Sequence, residues 1–142
     1  MNEETRVAET IYAAWTMAFA EKDLEGVLAL YAPDATLESP LVNNLLGTEL
    51  GIVSGRDKLR TFFGIIINST PTLRNRHRAS FFTDGKTMIW EYPRITPTGE
   101  QTDMAESMTL KDGLIQSHRI YWGWGGSKLL QKDQYRIREG GS

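Results

Sequence analysis

Glu106 and His118 are the residues best suited to move protons in this chain, because they flank a hairpin signal, Lys111-Asp112-Gly113, that folds their strands together. A three-residue loop ending on a left-handed Gly113 sets Leu110 opposite Leu114, Met108 opposite Gln116, Glu106 opposite His118 and Met104 opposite Ile120. One face then carries Met104, Glu106, Met108, Leu110, Leu114, Gln116, His118, Ile120 and Trp122, with an acid and an imidazole side by side among apolar groups. Burial raises the pKa of a carboxyl group and a neighbouring imidazole pulls it back, and such opposed influences tune acid/base pairs. Glu91, on the preceding strand, is a third catalytic candidate. A two-residue Thr98-Gly99 turn sets it opposite Glu106, a three-residue turn sets Trp90 there instead, and both registers stay open. With both carboxyls inward, one must hold a proton, giving a general acid beside a general base. The plainer alternative for Glu106 and His118 is a structural hydrogen bond, or, after a slip of one residue, two groups on the solvent face.

Other chemistry is thinly represented. The string Tyr121-Trp122-Gly123-Trp124-Gly125-Gly126 closes the last strand and reads either as a ligand wall or as a strand end against a second copy. The basic run Arg74-Asn75-Arg76-His77-Arg78 reads as a solvated face, with no anion site assigned. There is no glycine-rich phosphate loop, nucleophile elbow or metal-ligand spacing. The absence of cysteine leaves no disulfide framework or thiolate site, and two histidines do not make a histidine-rich metal centre. Neither a metal nor a cofactor is called for.

The elements that must position these residues fall into two blocks. Val7, Ile11, Trp15, Ala18 and Phe19 recur at helical spacing and predict a helix over Glu3 to Ala20. Asp23 caps a second, shorter helix carrying Val27, Leu28, Leu30 and Tyr31, which Pro33-Asp34 stops. Ala35 to Ser39 alternates as a strand, Leu41 to Ser54 reads as a long loop suited to a lid, and a third helix from near Gly55 presents Leu59, Phe62, Phe63, Ile66 and Ile67. From Thr72 onward, aromatic and β-branched runs broken by Asp84-Gly85, Pro97-Thr98-Gly99 and Lys111-Asp112-Gly113 predict a meander of four antiparallel strands. Helices first and a meander afterwards give an α+β domain with helices on one sheet face.

Composition bounds the rest. A chain of 142 residues, 40% hydrophobic and 24% charged, is the size and make-up of one globular domain, placed at residues 1–137 with a Gly- and Ser-ended tail at 138–142. A net charge of -2 supplies no field for a phosphate backbone, so nucleic acid is not an expected partner. The acidic N-terminus MNEETRVAET is unlike a secretory signal and no run is apolar enough to span a bilayer, which leads to the expectation of a cytoplasmic protein without a membrane partner.

The segment DLEGVLALYAPDATLESP from Asp23 to Pro40 resembles the signature of the nuclear transport factor 2-like superfamily, including SnoaL-like polyketide cyclases, ketosteroid isomerases and limonene epoxide hydrolases. GRDKLRTFF at Gly55 to Phe63 and KDGLIQSHRIYW at Lys111 to Trp122 fall where that family has matching elements. The resemblance implies a cone-shaped curved antiparallel sheet wrapped on N-terminal helices around one apolar pocket, a small lipophilic molecule as partner, and a homodimer. The dimer is also expected because helices cover only one face of a curved sheet. Of the ketosteroid isomerase pattern (tyrosine, aspartate base, acid) this chain has Trp15, Ser39 and Glu106, keeping only the last. The epoxide hydrolase positions look like Ile89, Glu91 and Ile120, and SnoaL-like cyclases share a histidine where His118 stands. The reading is an acid/base enzyme of lyase, isomerase or hydrolase type acting on a ketone, polyketide or epoxide. Glu106, His118 and Glu91 carry the proton transfer in this reading. Trp15, Tyr31, Ser39, Phe63, Met104, Met108, Ile120 and Trp122 line the substrate. The other reading is a non-catalytic binding or interaction module.

Overall fold

The computed structural model describes residues 2–69, 73–74, 81–95, 99 and 101–132. The basic run apart from Arg74, most of the second hairpin turn and the C-terminal tail lie outside the described residues.

Helix α1 (Glu3–Ala20) follows the spacing of its apolar residues: Ala8, Ile11, Trp15 and Ala18 are buried, and Asn2 caps it by accepting the Thr5 amide at 2.8 Å. Asp23 caps α2 (Leu24–Leu28), which ends before Tyr31. Tyr31 is therefore not helical as expected but the first residue of β1 (Tyr31–Glu38). Pro33 and Asp34 lie within a bulge of that strand, and Arg56 holds its start by donating Nε and Nη2 to the Tyr31 carbonyl. The stretch read as a lid is instead α3 (Pro40–Leu46) and β2 (Ile52–Ser54). Ser39 caps α3, Pro40 opens it and Gly47, at φ 65°, closes it, so the sequence carries every signal of a short helix there. Helix α4 (Arg56–Ile67) buries Leu59, Phe62, Phe63 and Ile67 against the sheet. Each of those side chains contributes about 1.5–3 kcal/mol.

Strands β3 (Leu73–Arg74), β4 (Phe82–Thr83), β5 (Thr87–Ile95), β6 (Gln101–Lys111) and β7 (Leu114–Trp122) complete a seven-stranded sheet in the order β2-β1-β7-β6-β5-β3, with β4 also on β5. All described pairs are antiparallel except β1 with β7, which run parallel. The chain then turns at Gly123 into α5 (Trp124–Gln131), where the sequence reads as a ligand wall or a strand end and not as a helix. No helix among the described residues is long and apolar enough to cross a membrane.

The last hairpin departs from its expected register. Lys111 pairs with Leu114, so the loop has two residues, Asp112 (φ 53°) and Gly113 (φ 77°), the positive pair that a tight twisted hairpin requires. One step later Leu110 pairs with Ile115 but Thr109 with Ser117, leaving Gln116 as an extra residue on β7. The shorter turn and the bulge each displace the ladder by one residue. Their sum sets Glu106 opposite Ile120 instead of His118, Met108 opposite His118 instead of Gln116, and Met104 opposite Trp122 instead of Ile120. Beyond the bulge the shift of two leaves Met104, Glu106, Met108, His118, Ile120 and Trp122 on their expected face, whereas between turn and bulge the shift of one sets Leu114 opposite Lys111 and puts the buried Ile115 on the inner face in its place.

Candidate active site

The inner face of the sheet collects the chemistry. Glu106 from β6 and His118 from β7 are diagonal neighbours, and His118 Nε2 lies 2.7 Å from Glu106 Oε1. His118 Nδ1 lies 2.8 Å from the hydroxyl of Tyr31 on β1, which in turn accepts from Trp15 Nε1 on α1 at 3.1 Å. Four elements thus deliver one chain of hydrogen bonds, Trp15–Tyr31–His118–Glu106, and every member is between 0 and 3% exposed.

The direction of this chain follows from the donor inventory. An indole N–H only donates, so Trp15 occupies one lone pair of the Tyr31 oxygen, and with His118 neutral beside an ionised Glu106, which can only accept, the phenolic hydrogen is directed at His118 Nδ1. Nδ1 is then the acceptor and Nε2 carries the hydrogen, which it donates to Glu106. Burial pushes the Tyr31 phenol well above its ordinary pKa; the Trp15 hydrogen bond lowers it somewhat and the charge of Glu106 raises it further. Tyr31 therefore keeps its proton, and the far end of the relay, Glu106, is the natural acceptor.

Aromatic rings enclose the imidazole. Trp15 meets it edge-on at 5.9 Å, Tyr31 stacks at 6.1 Å and Trp90 lies tilted at 6.5 Å. Phe63 packs on Tyr31 at 5.4 Å and on Phe19 at 5.5 Å, holding the phenol from behind. Ser39 and Trp122 form a second contact, with Trp122 Nε1 donating to Ser39 Oγ at 3.2 Å. Met104 and Met108 are buried on the same face, while Ile120 and Trp122 are only partly buried.

Of the predicted residues, the structure brings together Trp15, Tyr31, Glu106 and His118, places Phe63, Met104, Met108 and Ile120 around them, and joins Ser39 to Trp122. It does not bring in Glu91, which is exposed and pairs with Ala105 because Trp90 takes the place opposite Glu106. Of the two registers left open, the structure has the one that turns Glu91 outward, so Glu91 is removed from the catalytic set. Trp90, 1% exposed and against the imidazole, is the site residue that the sequence reading misses. The parity of β5 with Glu106 is the signal that points to it. A cleft of about 370 Å³ between α3 and α5 is lined by Pro40, Asn43, Asn44, Ser127, Leu130 and Gln131, none of them a predicted site residue.

Solved structures share this architecture. A steroid delta-isomerase from Pseudomonas aeruginosa is similar at TM-score 0.66 and 19% identity, over 90% of this chain and 88% of that one. An NTF2-like protein from Anabaena variabilis is similar at TM-score 0.67 and 19% identity, over 87% of this chain and 92% of that one. The epoxide hydrolase/cyclase-like enzyme SalBIII, with a role in pyran ring formation in polyether salinomycin, is similar at TM-score 0.61 and 22% identity, over 87% of this chain and 95% of that one. No curated protein matches the sequence. The SnoaL-like domain matches residues 12–118, which include every member of the relay, and the chain belongs to the SnoaL-like domain family, with the nuclear transport factor 2-like fold.

Proposed function

We propose that the protein is an acid/base enzyme that moves a proton at carbon next to a carbonyl, or opens a strained ether, in a small lipophilic molecule. The observation that carries this reading is the directed relay from Trp15 through Tyr31 and His118 to Glu106 in an apolar core. Glu106 exchanges the proton with the substrate. His118 Nε2, 2.7 Å from Oε1, gives the carboxylate a hydrogen-bond partner, and a hydrogen bond to the charged form favours that form. The carboxylate, which only accepts, sets the imidazole tautomer, and Tyr31 holds the ring at Nδ1. The substrate approaches past Ile120 and Trp122, the partly buried residues of the inner face beside Glu106. The isomerase and the cyclase-like enzyme among the similar structures lend support at the level of fold.

The test is a mass-spectrometric turnover screen of lipophilic epoxides, unsaturated ketones and polyketide-like rings with wild type and Glu106→Gln side by side. Turnover that disappears in the variant is the expected result; turnover that persists refutes the role of Glu106. A second reading, a binding module in which the relay only stiffens the core, is favoured by the near-complete burial of all four residues. It predicts ligand affinity without turnover in either protein. The expected homodimer belongs with this proposal: Phe82, Ile89 and Tyr121 are exposed on the outer face, and sedimentation velocity tests whether two copies associate.

A further inference from the structure

Ser39 holds a donor for which the described fold has no use. A serine hydroxyl accepts through two lone pairs and donates one hydrogen. Both lone pairs of Ser39 Oγ are occupied, by the Leu41 amide at 3.1 Å and by Trp122 Nε1 at 3.2 Å. Among the described residues no acceptor takes its hydrogen, although Ser39 is only 3% exposed. Leaving a buried donor unmet has a real energetic cost, so it points to a ligand that meets it. Two N–H groups donating into the same oxygen also polarise the hydroxyl and strengthen it as a donor.

Its place in the sheet says what that ligand must present. Leu37 and Glu38 run in register with His118 and Arg119, so the next residue, Ser39, stands beside Ile120, and Ile120 is opposite Glu106. Ser39, Ile120 and Glu106 form one row across the inner face, and with strands about 4.8 Å apart the outer two backbones are about 10 Å from each other. Their two side chains flank Ile120. A hydrogen bond of about 2.8 Å at one end and a reactive approach of about 3 Å at the other leave room for atoms a few bonds apart.

We propose that Ser39 is a substrate-binding donor that holds the carbonyl oxygen of a ketone whose neighbouring C–H faces Glu106. This rests on the acid/base reading above and narrows it to ketones. When Glu106 takes the proton, the C–H bond breaks, an O–H bond forms on the carboxyl group, and the electron pair shifts through a new C=C bond onto the oxygen. The Ser39 hydroxyl then donates to that developing enolate oxygen, more strongly than to the ketone.

The probes are 2-tetralone and tetralin, a ketone and its parent hydrocarbon, with dissociation constants compared by ligand-observed NMR and α-proton exchange of the ketone followed in D2O. Wild type should favour the ketone by about 3- to 10-fold, the worth of one neutral hydrogen bond. Ser39→Thr should retain that preference. Ser39→Ala should lose it, and Ser39→Gly, which a helix cap tolerates better than alanine, should lose it even where Ser39→Ala folds poorly. An equal preference in wild type and Ser39→Gly, or none in wild type, overturns the proposal. Absence of α-proton exchange in wild type, with the preference still lost in Ser39→Gly, refutes the enzyme reading alone and leaves Ser39 as a ligand donor.

Discussion

Tyr31→Phe removes one oxygen and almost no volume, and it tests the relay more sharply than any truncation. The phenol oxygen joins Trp15 Nε1 to His118 Nδ1, so its loss takes the partner from an indole donor and an imidazole acceptor together in the core. Each buried polar group left unmet costs about 1–3 kcal/mol, which puts the loss at about 2–6 kcal/mol. Urea unfolding read by tryptophan fluorescence should show a lower midpoint with an unchanged slope, since the surface exposed on unfolding is the same. The pH dependence adds an independent arm. Tyr31 has a raised pKa in the folded protein, so its contribution is fully present below the unfolded tyrosine value of about 10 and is lost as pH rises beyond it toward the folded value. The wild type should lose up to about 1.4 kcal/mol per pH unit from this residue above pH 10. Phenylalanine has no such proton, so the gap between the two proteins should narrow there. A Tyr31→Phe protein within about 0.5 kcal/mol of wild type at pH 7, or a gap independent of pH above 10, refutes the relay.

Three further outcomes follow from the same contacts. Trp15→Phe removes the indole donor from the Tyr31 oxygen but leaves Glu106 to accept from Nε2, so imidazole nitrogen shifts should keep a single Nε2–H form of His118; a mixture of tautomers counts against the hydrogen bond from His118 to a Glu106 carboxylate. Gly126→Ala places a Cβ 2.7 Å from Trp122 Cε3, and although alanine improves helix propensity by about 1 kcal/mol, the ring must turn and the indole N–H resonance bonded to Ser39 should move. Gly85→Ala meets Glu4 at 2.7 Å with φ at 94°, and thermal denaturation should show a loss of more than about 1 kcal/mol.

Much of this architecture is legible in the amino-acid order alone. The limits of α1 and the start of α4 follow from apolar spacing and from Gly55, and the glycine turns locate the hairpins. Helix α5 is not legible, because Gly125 and Gly126 each cost about 1 kcal/mol in a helix. Burial of Leu129 and Leu130 overrides that propensity. The stretch that forms α3 reads as a loop because Asn43, Asn44 and Gly47 interrupt its apolar residues, whereas the cap and first turn at Ser39-Pro40 carry the helix signal. Glu106 and His118 are correctly placed on one face, yet through a wrong count. The expected turn is a residue too long and the bulge at Gln116 leaves no mark in the pattern, and the two errors together preserve parity. The hydrogen bond from Tyr31 is beyond reach of sequence patterns, since it depends on a parallel pairing that joins residues 87 positions apart.

That bulge implies a competitor state. A regular ladder running on from the two-residue turn pairs Glu106 with Arg119, sending His118, Ile120 and Trp122 outward and Ser117, Arg119 and Tyr121 into the core. Nothing in the turn itself forbids this ladder. What disfavours it is the loss of the His118 hydrogen bonds to Tyr31 and Glu106 together with the desolvation of the Arg119 guanidinium, costly even opposite a carboxylate, whereas on the outside that group meets Glu38 Oε2 at 3.2 Å. Arg119 is thus a guard against misfolding: an apolar residue there leaves two ladders in competition during folding, and the imidazole then reaches the core in only a fraction of the molecules.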